Sequence, residues 1–147
     1  MIWRIAVALV YLLDIATACS CVQLAQDIAR SAAFAIFEGT VTDIHHFENE
    51  EQQKLASRAL ATFKIAQSWK GPSGSSIQVH VWERAMMCDS YKFEVGRRYV
   101  VYALQNDAMG GWADKYPSGT KILAAGDCIL RVRQDADAEA KRLGKAR

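Results

Sequence analysis

Apolar and polar residues alternate along several short stretches of this chain, with the period of two that is typical of β-strands. In one stretch Phe63, Ile65 and Trp69 alternate with polar residues, and in another Val79 and Val81 flank His80. His80 is therefore predicted to point outward, to the protein surface. Alternation and, at Tyr99–Leu104, a run of β-branched and aromatic residues predict five strands, Ala35–Ile44, Arg58–Trp69, Ile77–Val81, Tyr99–Leu104 and Lys121–Ala124.

Turn-forming segments separate the predicted strands. Lys70–Ser75 combines glycine, proline and serine and predicts a turn, and the glycine-rich stretch 106–119 predicts a loop. Gly39 lies inside the first strand, where a glycine indicates a bulge or a tight bend. A charged connection, His45–Ser57, joins the first two strands, and its acidic residues are expected at a solvated hairpin tip.

Helical patterns occur at the two ends of this strand-rich region. Val22–Arg30 predicts a short amphipathic helix, and Asp135–Leu143, rich in alanine and charge, predicts a closing helix. Five short strands with short flanking helices predict a mainly β protein with a five-stranded, OB-fold-like Greek-key barrel. A β-sandwich is the alternative. Three aromatic residues are expected in the core rather than on a ligand platform: Trp69, Tyr99 and Tyr102.

The first residues have the features of a secretory signal peptide. Arg4 precedes an apolar stretch, Ile5–Leu13, which is too short for the roughly 20 residues that a membrane span needs. The small residues Ala16-Thr17-Ala18 then form a cleavage signal. We expect residues 1–18 to be removed and 19–147 to form one secreted domain, extracellular or periplasmic, without a membrane span. Its first residue, Cys19, would carry a free α-amine beside its carbonyl oxygen, and these two atoms can close a five-membered chelate ring on a metal ion.

The chain has four cysteines, an even number that predicts two disulfides in a secreted protein. A bridge between Cys19 and Cys21, across one intervening residue, would be badly strained. The amino-terminal segment is therefore expected to be pinned near two distant positions, Cys88 and Cys128.

Charge and motifs exclude several classes of function. The net charge of +2, which the removal of Arg4 and Asp14 with the leader leaves unchanged, is too small to favour nucleic acid. No Walker loop, zinc-finger spacing or internal repeat is present. Once the cysteines are paired, no Ser/His/Asp or Cys/His arrangement remains, so we expect a monomeric protein that is not an enzyme and holds no cofactor. His45 and His46 are adjacent, so on a strand they would face opposite ways; a solvated loop end is expected for them.

A series of short motifs begins at Cys19-Ser20-Cys21, directly behind the predicted cleavage site, and extends over nearly the whole mature chain. The later segments of the series are Phe37–Val41, Phe63–Ile65, Trp69–Pro72, Ile77–Val81, Cys88, Gly96–Val101 and Cys128. In their order and spacing these motifs resemble the N-terminal, netrin-like OB-fold domain of the tissue inhibitors of metalloproteinases.

The resemblance implies pairing of Cys19 with Cys88 and of Cys21 with Cys128. It also implies inhibition of a zinc metalloendopeptidase, in which the amine and carbonyl oxygen of Cys19 bind the catalytic zinc of the target. Ser20 would enter the pocket beside that zinc, and the connection His45–Ser57 would touch the rim of the protease. The inhibitory residues implied by the resemblance are Cys19, Ser20, Cys21, Ala85, Met86 and Met87.

Some features of the chain depart from this family. The third disulfide that is typical of the family is missing, and no second cysteine-rich domain follows. Met86 and Met87 are bulkier than the small residues usual at their positions, and Asp89 stands where a glycine is common. Because methionines adapt to contact surfaces, these changes are expected to alter target preference rather than the mode of binding.

Two other classes of function remain open. A cysteine directly after Ala-Thr-Ala partly matches a lipobox, which would make the protein a lipoprotein anchored through Cys19. Lipidation would block the amine and leave an odd number of cysteines. The other alternative is a non-inhibitory secreted or envelope OB module that binds a glycan, a peptide or another envelope component; exposed aromatic residues in a groove would favour it.

Overall fold

A computed structural model describes residues 24–84, 90–108, 110–126, 132–133 and 135–147 of the chain. Within these residues the protein contains six β-strands and two α-helices. The strands are β1 (Ala35–His46), β2 (Ser57–Lys70), β3 (Ser76–Arg84), β4 (Arg98–Asp107), β5 (Lys121–Ala124) and β6 (Val132–Arg133). The helices are α1 (Gln26–Ala32) and α2 (Ala136–Leu143).

Five of these strands close into a barrel in the order β1-β2-β3-β5-β4, because β1 also pairs with β4. The pairings are antiparallel except that of β3 with β5, which run parallel with His80 opposite Ala124. Strand β6 adds to β4 beside β5, with Val132 opposite Val101. The prediction of a mainly β barrel with short flanking helices is confirmed.

The five predicted strands are all present, and several are longer than predicted. The ladder between β1 and β2 continues to the pair His46 and Ala59, so β1 extends beyond Ile44. Strand β4 likewise continues to Asp107, because its last residues pair with β5. The predicted turn between β2 and β3 and the boundaries of β5 are confirmed.

The predicted alternation fills the inside of the barrel. Phe63 is fully buried, and its ring meets Phe37, Phe93 and Tyr99 in edge-on contacts with centroids 5.0–6.5 Å apart. Val79 and Val81 of β3 belong to the same cluster. Burying side chains of this size contributes roughly 1.5–3 kcal/mol each, which makes this cluster the main source of stability.

Gly39 allows β1 to coil, as the sequence predicts. The register between β1 and β2 shifts between Glu38 and Gly39, which marks a bulge. A Cβ atom on Gly39 would lie 3.0 Å from the carbonyl oxygen of Lys64 and 3.2 Å from the Cβ of Phe63. The close approach explains the glycine, and the bend lets one strand pair with both β2 and β4.

Both helices pack on the outside of the barrel around Trp69 and Tyr102. Helix α2 begins as predicted, with the Asp135 side chain accepting a hydrogen bond from the backbone N–H of Ala138 (3.0 Å). At its other end Trp69 Nε1 donates to the carbonyl oxygen of Gly144 (2.8 Å). The predicted helix Val22–Arg30 is present as α1 from Gln26 onward, while residues 22 and 23 lie outside the described part of the chain. The buried positions of Trp69, Tyr99 and Tyr102 confirm that they are core residues.

Candidate functional site

The residues that the sequence singles out for inhibition all lie outside the part of the chain that the structure describes. The same holds for the four cysteines, so the two predicted disulfides and the implied zinc contact stay predictions. The residues concerned are Cys19, Ser20, Cys21, Ala85, Met86, Met87, Cys88 and Cys128. The described residues that flank segments 85–89 and 127–131 lie in or beside β3, β5 and β6.

Segments 85–89 and 127–131 both follow strands that run toward the same end of the barrel, which we call the rim. Strands β3 and β5 are parallel neighbours, and the N–H of Ala125 donates to the carbonyl oxygen of His80 (3.0 Å). The chain returns after residue 89 at Tyr91, whose N–H donates to the carbonyl oxygen of Trp82 (2.7 Å). The connection between β1 and β2 reaches the rim as well, because Ser57 pairs with Arg84. The structure thus brings together the flanks of two predicted bridging segments and the β1–β2 connection.

A buried carboxylate fixes the end of β3 at the rim. The side chain of Glu83 is only 7% exposed, and its Oε2 accepts a hydrogen bond from Ser57 Oγ (3.3 Å). The Nδ1 of His46 lies 3.1 Å from the same oxygen. In a hydrolytic triad the serine contacts the histidine, and the histidine contacts the carboxylate. Here Ser57 and His46 both contact the carboxylate and not each other, and Ser57 is buried. The group is therefore not arranged as a hydrolytic triad. It joins the ends of β1 and β3 to the start of β2.

The adjacent histidines were predicted to lie at a solvated loop end, and that prediction is wrong in one respect. His45 and His46 are exposed, but both belong to β1, because the ladder with β2 includes them. The ring of His45 meets Phe47 edge-on, with centroids 5.0 Å apart, while His46 contacts Glu83.

Arg58 connects three parts of the fold near the rim. Its Nη1 lies 2.6 Å from Asp114 Oδ1 and also donates to the carbonyl oxygen of Gly111. Its Nε donates to Glu48, and its backbone N–H donates to the other oxygen of that carboxylate (2.6 Å). Arg58 thereby joins β2, the β1–β2 connection and the loop 110–120 that precedes β5. We call this loop the strap.

The guanidinium of Arg58 also lies against two aromatic rings. Its central carbon is 5.7 Å from the ring centroids of both Trp82 and Trp112, within the range of cation–π attraction. Hydrogen bonding to Asp114 is the main reason that the pKa of Arg58 is raised, and the same contact lowers the pKa of Asp114 to about 2. Both groups therefore stay charged over the whole physiological pH range.

The acidic β1–β2 connection differs from its prediction at Glu48. Glu50 and Glu51 are exposed, as expected of a solvated tip, but the Glu48 side chain is only 10% exposed because it binds Arg58. Leu55, near the tip, is 80% exposed. The connection therefore presents an apolar side chain beside acidic ones, on a base fixed by Glu48.

His80 is buried, which corrects the prediction that it lies at the surface. It does point to the outside of the barrel, but the strap covers it, and only 7% of the residue is exposed. Its Nδ1 lies 3.0 Å from the carbonyl oxygen of Leu123, and its Nε2 lies 2.7 Å from the hydroxyl of Tyr116. Because a carbonyl oxygen only accepts, Nδ1 carries the hydrogen and Nε2 accepts from Tyr116. Burial lowers the pKa of His80, and burial also raises the pKa of Tyr116.

The residues that sequence reasoning missed are those of this covered face. Strand alternation already places His80 and Trp82 on one side of β3, and the glycine-rich loop after β4 contains Trp112 and Tyr116. An apolar outer strand face followed by an aromatic loop is a signal that the loop folds back over the strand. Trp112 and Ile122 are buried in the cluster that results.

Among the described residues, no group of three or more His, Cys, Asp or Glu side chains could hold a metal ion. No helix in the same residues is long and apolar enough to cross a membrane. In comparisons with known proteins, the sequence matches no protein-family model and no curated protein.

Proposed function

We propose that the protein is a secreted inhibitor of zinc metalloendopeptidases that binds the catalytic zinc of its target through the amine and carbonyl oxygen of Cys19. Zinc in such proteases keeps one position open for water or substrate. A rigid bidentate ligand in that position displaces the nucleophilic water. An α-amine has a pKa near 7.7–8.0 and loses its proton readily when zinc competes for the lone pair.

The barrel supports the OB-fold part of this proposal. Its strand order, with β1 pairing both β2 and β4 and with β3 parallel to β5, is the arrangement we expect of an OB-type Greek-key barrel.

The observation that carries the inhibitory part is the convergence of flanking residues at the rim. Two bridges from Cys19 and Cys21 to Cys88 and Cys128 need the segments holding the last two to lie on the same side of the fold. The described residues on either side of these segments, Arg84 and Tyr91 and also Ala125 and Val132, lie toward this end of the barrel, which supports the two bridges. In the proposed inhibitor, the amino terminus is held at the rim between these two segments.

The rival OB module receives less support from the aromatic residues. OB domains that bind oligonucleotides or oligosaccharides use the face of strands 2 and 3 together with the loops after strands 1 and 4. Here the outer face of β3 is covered by the strap, and Phe34, before β1, is the one exposed aromatic ring among the described residues. A stacking groove for bases or sugars is not presented by this face.

The decisive experiment adds a single alanine before Cys19. The extension moves the amine away from the chelating position while leaving the barrel and both predicted bridges unchanged. The parent protein is expected to inhibit at least one member of a panel of zinc metalloendopeptidases, and the extended variant is expected to lose at least a hundredfold in inhibition constant. Equal inhibition by both forms would contradict chelation, and no inhibition by the parent would favour the binding module.

Intact-mass measurement of the secreted protein provides the control. The mass should correspond to residues 19–147 less four hydrogens, which also requires that both bridges form. A lipid adduct on Cys19 would instead support the membrane-anchored alternative and exclude the free amine.

A further inference from the structure

The strap (residues 110–120) closes over the outer face of β3. Two barrel side chains bind it: Arg58 of β2, at Gly111 and Asp114, and His80 of β3, at Tyr116. The N–H of Ala108 donates to the carbonyl oxygen of Thr120 (2.8 Å), which ties the start of the loop to its end. Trp112 is buried against Trp82 and His80, with ring centroids 5.8 and 5.0 Å away. Removing the strap from β3 would expose these rings without breaking a strand pairing of the barrel.

One hydrogen bond joins the middle of the strap to β3. The hydroxyl of Tyr116 donates to Nε2 of neutral His80, whose Nδ1–H is already used by Leu123. A second proton on the imidazole must therefore go to Nε2, the atom that accepts from Tyr116. The Tyr116 hydroxyl oxygen would then have to accept from Nε2–H and turn its own hydrogen away from His80, beside the ring of Phe47.

The charges around His80 do not favour a second cation. Arg58 of β2 already lies over the ring of Trp112, and its two carboxylate partners, Glu48 and Asp114, are engaged with it. The other charged or titratable groups on the packed elements include Tyr116 and Lys115 of the strap, Glu83 and Arg84 of β3, His45 and His46 of β1, and Lys121 of β5. His46 contacts Glu83, and Lys121 pairs with Asp107. No described carboxylate contacts the His80 ring.

We propose that the strap is an acid-sensitive cover, held over β3 by neutral His80 and released when that imidazole takes up a proton on Nε2. Opening admits water to the imidazolium by removing the rings of Trp112 and Tyr116 that bury it. It also uncovers Trp82 on the outer face of β3 and frees the ring of Trp112 on the strap. The inference concerns a device in the fold and does not rest on the proposed inhibition.

The direction of the pH effect follows from linkage. In the covered state the pKa of His80 lies below the value of about 6.5 expected for a solvated histidine. The open state therefore binds more protons than the closed state, and opening is favoured as the pH falls below about 6.5. Over that window the opening equilibrium constant rises by at most about tenfold per pH unit, and above it the constant is independent of pH.

Hydrogen–deuterium exchange of the intact mature protein between pH 7.5 and 5.0 measures this constant, after correction for the intrinsic exchange rate. Amides of the strap are expected to lose protection as the pH falls, while amides of β4 keep theirs. His80→Asn, which cannot take up the proton, is expected to abolish the pH dependence. His45→Asn, the matched control at an exposed histidine, should leave it unchanged.

Tyr116→Phe keeps the test decisive if His80→Asn does not fold. Without the hydroxyl, the strap should open more at pH 7.5 and respond less to acid. The proposal is overturned if strap protection in the parent is independent of pH, if His80→Asn retains the full response, or if β4 loses protection together with the strap.

Discussion

Replacing Arg58 with methionine is expected to destabilise the protein by about 2–3 kcal/mol. Most of this loss comes from its largely buried carboxylate partner, Glu48. The side chains of Arg58 and Glu48 are 12% and 10% exposed, so removing the guanidinium leaves a largely buried carboxylate without its charged partner. A hydrogen bond to a charged group contributes roughly 1.5–3 kcal/mol, and loss of the cation from Trp82 and Trp112 adds a fraction of this. Methionine keeps most of the apolar stem, so little packing is lost.

Asp114 should contribute much less to the free energy of unfolding, although its hydrogen bond with Arg58 lowers its pKa to about 2. The Asp114 side chain is 56% exposed, so water replaces the guanidinium when the pair is broken. Asp114→Asn is therefore expected to leave the free energy of unfolding nearly unchanged. The difference between the two carboxylates depends on burial, since both make short contacts with the same guanidinium.

Urea denaturation at pH 7.5 measures these free energies, provided that the slope with urea concentration is the same for all variants. The double variant Glu48→Gln with Arg58→Met removes the charge that the single change leaves unpaired. It should therefore lose at least about 1 kcal/mol less than the sum of the two single changes. A loss below about 1 kcal/mol for Arg58→Met, or additive losses in the double variant, would refute this account of the rim.

Two further predictions concern the strap and the outer helices. Gly111→Ala should destabilise the protein by about 1–3 kcal/mol in the same urea assay, because the new Cβ would overlap the ring of Trp82. The control is Gly74→Ala, whose Cβ would meet nothing closer than 3.4 Å. The hydroxyl of Tyr102 donates to buried Glu139 (2.6 Å), and burial raises the pKa of Tyr102 to about 12. Because this value is raised in the folded state, the associated stability is full below about pH 10 and is lost as the pH rises toward 12. The free energy of unfolding, followed by circular dichroism, should therefore fall more between about pH 9 and 12 in the parent than in Tyr102→Phe.

The sequence predicts the elements of this fold well, because the signals for them are local. Alternation and a run of β-branched and aromatic residues identify five strands, and the turn at Lys70–Ser75 and the glycine at Gly39 are recognised from residue type alone. Strand β6 is missed because two residues carry no periodicity, and it exists only by pairing with β4. Closure of the barrel also depends on strand pairing, in this case between β1 and β4, which are far apart in the chain.

Prediction fails where burial depends on a distant segment. Alternation correctly places His80 on the outer side of β3, but it cannot tell that the strap covers this side. Glu48 looks like any acidic residue of a hairpin tip until β2 supplies Arg58. In both cases the side chain's direction is local information, whereas its partner is set by tertiary structure.

The rim has the properties that a chelating inhibitor needs from its scaffold. A bidentate ligand binds tightly when the cost of ordering it has been met before binding, so its supports must be fixed in the free protein. Glu83, with Ser57 and His46, fixes the end of β3 from one side, and Arg58 with Trp82 fixes the same strand from the other. If the proposed inhibition holds, Arg58→Met should weaken it by loosening the rim, whereas the alanine extension should abolish it without changing the free energy of unfolding. Measuring both quantities on both variants separates the support from the chelating atoms, because only the first change acts through the stability of the fold.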